Sequence, residues 1–369
     1  MALSDVIGQD RAVSILLKTI RRGRISSSYL FAGESGIGKK FAALNLAKAL
    51  NCLKAEHRTQ STLSLTLPPR GGGPGWGGDS ELQTLNSELI QFDACDECSS
   101  CRKIDAGIHP DALLISPESG QIRIEEIRAI DEILSLKAFE GRTKAVVVDD
   151  AETMNQYAAN AFLKTLEEPP SDSMIILVSS KPDRLPDTIQ SRCSRINFTP
   201  LSHEACERVI KKVISEGKAV GKKTGKPASL QDDRLSLLVR LSMGRPGNVV
   251  AGDPIEERAW FFKLLNGVMN AEKDGWASRE EMEKWFDFMI IMLRDMAVLK
   301  VVRDETNIIN ADLTEYLSRL SSSMDLKGII KNYQTLYALK GYLNFNLNKS
   351  LTWNYTGSLL RKEMDITHA

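Results

Sequence analysis

The sequence predicts an α/β fold: a parallel sheet covered by helices on both faces, followed by an all-helical C-terminal part. Three observations carry this. Short aliphatic runs alternate with helix-like stretches as far as Phe198. A glycine-rich loop, GESGIGKK (Gly33 to Lys40), joins the first such run to the first long helix. Beyond Phe198 the strand pattern stops, and apolar residues recur at helical spacing.

The expected strands are YLFAG (29–33), ALLIS (112–116), KAVVVDD (144–150), MIILVSS (174–180) and RINF (195–198). Each is short, aliphatic or β-branched, and bounded by polar or turn residues. Helices are expected between them, over Phe41–Ala55 and Glu125–Ala138. Residues 56–90 interrupt the alternation with TLPPRGGGPGWGGDS, too rich in Pro and Gly to bury a core. They read as a flexible surface insertion, most simply a loop with no function of its own.

Residues 202–250 read as helices broken by the polar stretch at 217–229. From about Glu256 the pattern is helical throughout. Ser278-Arg279-Glu280-Glu281 is a capping box, in which the Ser oxygen accepts from a free amide and the Glu reaches back. Met282, Trp285, Phe286, Met289, Leu293 and Met296 then share one face. Ile329, Ile330, Tyr333, Leu336 and Tyr337 form a second stripe. The plain reading of both is bundle core; the sharper one is that part of this bundle packs against other subunits.

Composition bounds the function. The 369 residues suit two or three domains, and 42% hydrophobic with 26% charged residues is ordinary for a soluble globular protein. Lys plus Arg equals Asp plus Glu at 48 each, so no overall field argues for nucleic acid. The N-terminal MALSDVIGQDRAV lacks a secretory apolar core, and no run of about 18 apolar residues suggests a membrane span. A cytoplasmic protein with no membrane partner is therefore expected.

GESGIGKK has the context of a phosphate-binding loop, after a strand and before a helix. Gly33, Gly36 and Gly38 allow amides to point at phosphate oxygens, and Lys39 is placed to reach the β and γ phosphates. Asp149, at the end of the apolar run KAVVVDD, is of the type that holds magnesium. One letter departs from the motif. Lys40 stands where a Ser or Thr hydroxyl binds the metal, and an ammonium has no acceptor. Like unit charges at ~4 Å repel by about 4 kcal/mol at an effective dielectric of ~20. Metal binding should suffer unless Lys40 swings away.

Of six Cys, three lie at C-x₂-C-x₂-C spacing: Cys95, Cys98 and Cys101. Cys52 ends the helix after the loop, with 42 residues between it and the trio. Four thiolates make a closed, structural zinc site, and the long intervening loop raises the closure cost only logarithmically. An iron–sulfur cluster is the rival, although the fourth Cys-Pro of the bacterial ferredoxin pattern is missing. Free thiols are the plain alternative. Cys193 and Cys206 read as buried or inert.

Specific motifs then point to a family. NAFLKTLEEPP (160–170) and Ser191-Arg192-Cys193 within DTIQSRCSRI resemble hallmarks of the clamp-loader ATPases. IGQDRAV near the N-terminus, SSYLFAG before the loop and GIHPDALLIS (107–116) also fit; the matches run in order from residue 5 to about 250. YLNFNLNKSLTW (342–353) resembles the family's last helix.

The resemblance implies an AAA+ P-loop sheet domain over 1–198, with a zinc module at about 52–101. It implies a small helical lid over 199–252 and a C-terminal helical collar, used for oligomerisation, over 253–369. It implies structural zinc and a site shaped for ATP or ADP. It also implies partners: gamma/tau and delta subunits in a hetero-pentameric ring, with the sliding clamp and primer–template DNA reached through the complex. A DNA-directed DNA polymerase (nucleotidyltransferase) label would describe that assembly, since no polymerase site is read in this chain.

Active members carry Glu after the first Asp to activate water; here the residue is Asp150, one methylene shorter. They also place an Arg near Asn248, whereas Arg245 is out of register. With Lys40, these departures resemble the family's silent-site branch, whose Ser-Arg-Cys arginine reaches a neighbour's ATP. Arg192 is then an arginine finger in trans; without the family, the same residue reads as a surface salt bridge. His109 lies in the family's HPD turn and is set aside as a metal ligand. An active gamma/tau-like ATPase and a zinc-stabilised AAA+ adaptor outside replication stay open as alternatives.

Overall fold

The structure is a computed structural model of the chain. It describes residues 2–55, 93–117, 120–216, 232–273, 275–302, 307–343 and 347–363. The expected insertion at 56–90 and the polar stretch at 217–229 lie outside these residues. The chain forms two compact units, Met1–Ala205 and Cys206–Ala369.

The first unit is built on five strands: β1 (Ser28–Ala32), β2 (Ala112–Ile115), β3 (Lys144–Val148), β4 (Ser173–Ser179) and β5 (Ser194–Asn197). Their order is β2-β3-β4-β1-β5, and every pair is parallel. Every residue of β1, β3 and β4 is buried. This is why those runs are continuously aliphatic rather than alternating: both sheet faces are covered. The edge strands β2 and β5 are partly exposed. All five expected strands are present, with ends displaced by at most two residues.

Helices α1 (Asp10–Arg21), α2 (Lys39–Asn51), α3 (Ser99–Asp105), α4 (Ile124–Ser135), α5 (Gln156–Glu167) and α6 (Asp187–Gln190) belong to this unit. Leu30, Val146, Val148, Ile175 and Leu177 form one core with Ile127, Ile130, Phe162 and Leu166 of α4 and α5. The alternate positions Phe31, Val147 and Ile176 are equally buried. The C-terminal ends of β1, β3 and β4 thus share one edge, where open parallel sheets form their ligand crevices.

The second unit is helical. It contains most of α7 (His203–Ser215), α8 (Asp232–Ser242), α9 (Pro246–Ala251), α10 (Pro254–Met269), α11 (Arg279–Val301), α12 (Thr314–Ser323), α13 (Leu326–Tyr342) and α14 (Lys349–Glu363). Met282, Trp285, Phe286, Met289, Leu293 and Met296 are all buried in its core, as their spacing predicts. The α11 cap differs in detail from a reciprocal box. Ser278 Oγ accepts from Glu281 N at 3.2 Å, while the Glu281 carboxylate reaches Ala277 N at 2.8 Å. The second stripe divides. Ile329 and Leu336 are fully buried, but Ile330 and Tyr337 are 44% and 62% exposed, so the core reading is corrected for these two. Tyr337 stacks on Tyr333 at 6.2 Å between centroids.

Candidate functional site

The loop after β1 has the backbone that its glycines allow. Gly33, Gly36 and Gly38 sit at φ +151°, +77° and +96°, a region unfavourable to residues with a Cβ. A Cβ on Gly33 would collide with the Phe198 carbonyl, whereas one on Gly38 would meet only open space. Gly38 is also the N-cap of α2 and supplies no side-chain acceptor. The first amides of α2 therefore face outward from an uncapped, partially positive helix end.

Lys39 is nearly buried and folds back to donate to the Glu34 carbonyl. Burial pulls its pKa down, against the opposing pull of Glu152, Asp149, Asp150 and Glu34. Lys40 takes a different course. Its ammonium lies 3.0 Å from Oδ2 of Asp149, the acid that follows β3, and 3.5 Å from the Ser116 hydroxyl. Lys40 thus pairs with Asp149 rather than swinging away from it.

Asp150 adopts the left-handed conformation, φ +47° and ψ +47°, as N-cap of a short 3₁₀ turn at Ala151–Thr153. Burial, then repulsion from Asp149 and Glu152, raises its pKa. Glu152 was not singled out by sequence reasoning. Its carboxylate accepts from the Ser180 amide at 3.0 Å, the Lys181 amide at 3.1 Å and the Ser180 hydroxyl, so it ties the β3 edge to the end of β4. Burial resists its ionisation, yet these donors hold its pKa below the usual carboxylate range. The only hint in the sequence is that Glu152 lies two residues beyond the acidic pair.

Arg192 follows α6 on the surface of the first unit. Its Nη2 pairs with Glu167 and its Nη1 donates to the Thr188 carbonyl at 2.7 Å. The surface salt bridge that the residue type alone suggests is therefore present. Cys193, beside it, packs against the sheet core, and burial pushes its thiol up to about 12. Cys206 is buried, with its pKa likewise raised by burial.

The four remaining cysteines converge. The sulfurs of Cys52, Cys95, Cys98 and Cys101 all lie within 4.8 Å of one another. Thiolates around a zinc at ~2.3 Å have S···S edges of roughly 3.8 Å, so the cluster is close to the size such an ion needs. Backbone amides already point at the sulfurs: Cys95 N to Cys52, Cys98 N to Cys95 and Cys101 N to Cys98, at 3.3–3.5 Å. Burial opposes the Cys98 thiolate, but the Cys101 and Leu53 amides and the neighbouring thiols bring it down to about 6. Burial and the Cys98 contact push Cys101 well above the usual range, and burial also raises Cys52. Four thiolates packed this closely need a cation to ionise together.

Further anchors surround the cluster. Lys48 on α2 is fully buried and reaches Asp96 and both oxygens of Asp105, the latter at 2.9 Å. Asp93 accepts from Leu3 N at 2.9 Å and Ser4 N at 2.7 Å. His109 stands apart from the sulfurs. Its Nε2 meets the Ser100 hydroxyl at 3.1 Å, and its Nδ1 accepts from Asp111 N at 3.0 Å. In the second unit, Arg245 is the N-cap of α9, and with Asn248 it lines a cavity of ≈520 Å³.

The sheet order, the loop after β1 and the acidic end of β3 are those of an AAA+ nucleotide-binding unit. The family model described as "DNA polymerase III, delta subunit" matches residues 8–64 and 82–202. The delta prime subunit of DNA polymerase III from Bacillus subtilis is 27% identical over 353 residues, 92% of each chain. The delta prime subunit from Pseudomonas aeruginosa is 33% identical over 174 residues, 47% of this chain and 43% of that one. The tau subunit from Salmonella typhimurium is 29% identical over 213 residues; the match covers 58% of this chain and only 28% of tau. The chain belongs to the clamp-loader family of DNA polymerase III, in its delta prime branch. No described helix is long and apolar enough to cross a membrane.

Proposed function

We propose that this chain is a clamp-loader subunit that turns over little or no ATP itself and lends Arg192 to a neighbouring subunit's ATP. The observation that carries the first half is the Lys40–Asp149 ion pair at 3.0 Å. Magnesium in P-loop proteins is held by the loop hydroxyl and this acid. Here the hydroxyl is absent and the acid is already neutralised by an ammonium. Asp150, shorter than Glu and turned into a left-handed cap, supports the same reading. Arg192 lies on the surface, always charged and presenting a planar fork that suits a transferring phosphate. Arginines supplied in trans are worth roughly 10³–10⁵ in rate at the site they enter.

The partners follow from the family. Gamma/tau-type ATPases and a delta subunit would complete a ring of five, with clamp and primer–template DNA engaged by the whole. We read residues 199–252 as lid and 253–369 as collar. The exposed Ile330 and Tyr337 on α13 support a collar surface that meets other subunits. Cys52, Cys95, Cys98 and Cys101 would hold zinc, which supplies cross-linking rather than chemistry because four protein ligands leave no open position. A gamma/tau-like active ATPase is the second reading; the intact glycines and Lys39 favour it, and ATP or ADP could bind there passively.

Turnover decides between the readings. The purified chain should hydrolyse ATP at background rate, with Lys39→Ala changing nothing. Arg192→Ala should leave assembly with gamma/tau and delta intact but slow ATP turnover of the reconstituted ring. Robust hydrolysis by the isolated chain, lost in Lys39→Ala, would sink the silent-site reading.

A further inference from the structure

Three acceptors within the chain meet the Arg192 guanidinium, the weakest being the Ser191 hydroxyl, 3.5 Å from Nη1. Glu167, the last residue of α5, takes Nη2; the Thr188 carbonyl takes Nη1 at 2.7 Å. We propose that Glu167 is a positioning residue for Arg192. Together with Thr188 it fixes the plane of the guanidinium, leaving other N–H groups directed to a phosphate on a neighbouring subunit. This rests on the finger reading above and adds the residue that aims the finger.

The backbone around Arg192 is already rigid. Arg192 N donates to Ile189 O at 3.1 Å, Cys193 N donates to Gln190 O at 3.3 Å, and Cys193 packs against the sheet core. The long side chain is what remains to be positioned, and its partners do this. Ordering such a side chain at an interface costs conformational entropy. This hold removes part of that cost before a partner arrives. Arginine carries five N–H donors, so three intramolecular contacts do not exhaust it.

Glu167 is itself oddly placed for helix stability. A carboxylate in the last turn of α5 faces the negative end of the helix dipole. Pairing with Arg192 offsets that penalty, which gives the acid a local reason to hold the arginine. The opposite role, in which Glu167 masks the finger, is weak on magnitude. The two side chains are 33% and 50% exposed, and exposed pairs are worth roughly 0.2–1 kcal/mol. A multiply charged phosphate outcompetes one exposed carboxylate, so the pair aims the arginine without trapping it.

The test uses the ring reconstituted with its ATPase partner subunits, with assembly followed by size-exclusion chromatography. Arg192→Ala sets the size of the finger's contribution to kcat. Glu167→Ala should lower kcat by roughly 1.5- to 5-fold, the range of an exposed ion pair, with KM for ATP unchanged. Glu167→Gln keeps an acceptor oxygen and should recover part of the loss; it also carries the measurement if the alanine variant fails to assemble. The double variant should match Arg192→Ala alone. If Arg192→Ala slows turnover while Glu167→Ala equals or exceeds wild type, the positioning role is overturned and the finger stands. If the two losses add, Glu167 acts elsewhere and the inference falls. If Arg192→Ala changes nothing, the finger reading itself falls, and this inference with it.

Discussion

The ammonium of Lys40 lies 3.0 Å from the Asp149 carboxylate, so the acid that follows β3 is paired with a lysine of the glycine-rich motif. Asp149 is only 17% exposed at its side chain while Lys40 is 44% exposed. The pair is therefore better shielded from water on the acid side. Magnesium needs near-octahedral oxygen ligands at ~2.0–2.1 Å, and an ammonium offers none.

Magnesium should accordingly make no difference to ADP affinity in the native chain. Lys40→Thr removes the competing cation and returns an oxygen. In that variant magnesium should tighten ADP binding roughly ten-fold, about 1.4 kcal/mol. Titration calorimetry with ADP, with and without EDTA, checks both halves. Strong magnesium dependence in the native chain would contradict the ion pair's proposed role.

The cysteine cluster predicts one zinc per chain. Purified protein should release about one equivalent of zinc when a mercurial thiol reagent is added in the presence of a colorimetric chelator. Cys101→Ser should abolish that release and lower the melting temperature, because it leaves three thiolates without a closed site. Elemental analysis that finds iron, or no metal, would return the rival readings.

Asp111 sets a pH dependence. Its carboxylate accepts from the amides of Phe139, Glu140 and Gly141 at 2.7–2.8 Å. Burial opposes ionisation, but the three amides outweigh it, and the pKa is lowered. A depressed carboxylate contributes stability that is fully present above its unfolded value of ~3.9 and is lost as pH falls through the folded value. Melting temperature should therefore drop below about pH 4, and Asp111→Asn should flatten that part of the profile while lowering stability at neutral pH. An unchanged acid limb in Asp111→Asn would remove Asp111 from the explanation.

Much of this was legible because it rests on periodicity and short motifs. The three central strands showed as aliphatic runs, since burial on both faces leaves no polar alternation to confuse with a helix. Cys52 could be joined to its trio because sulfur clusters are chemically conspicuous. Lys48, Glu152 and Glu167 were not legible, because a charged residue on a helix or turn looks solvated until its partners are placed. Asp105 lies 57 residues from Lys48, and Ser180 lies 28 from Glu152. Gln9 is a similar case. It sits in a quoted motif, yet only the structure shows it bridging the Ile37 and Thr199 carbonyls, at 3.2 and 2.7 Å. Ile330 and Tyr337 were misassigned because a helix with two apolar faces gives the same stripe as a wide core face.

Lys48 offers the sharpest stability test of the cysteine module. It is fully buried on α2, and its ammonium ties that helix to Asp96, between the ligands, and to Asp105 at the end of α3. Lys48→Met keeps most of the apolar stem and removes the charge. Stranding one member of a buried ion pair costs about 3–5 kcal/mol when the partner stays dry. Here the Asp96 and Asp105 side chains are 30% and 50% exposed, so water can replace the ammonium and the cost should fall to about 1–2 kcal/mol. At about 2–4 °C per kcal/mol for a unit of this size, the melting temperature should drop by a few degrees. The zinc should also leave faster, since α3 carries Cys101 and would be held less firmly against α2. Melting by circular dichroism and zinc release to a chelator measure the two effects separately. A variant with native melting and native release would show that Lys48 does not tie the module to the sheet domain.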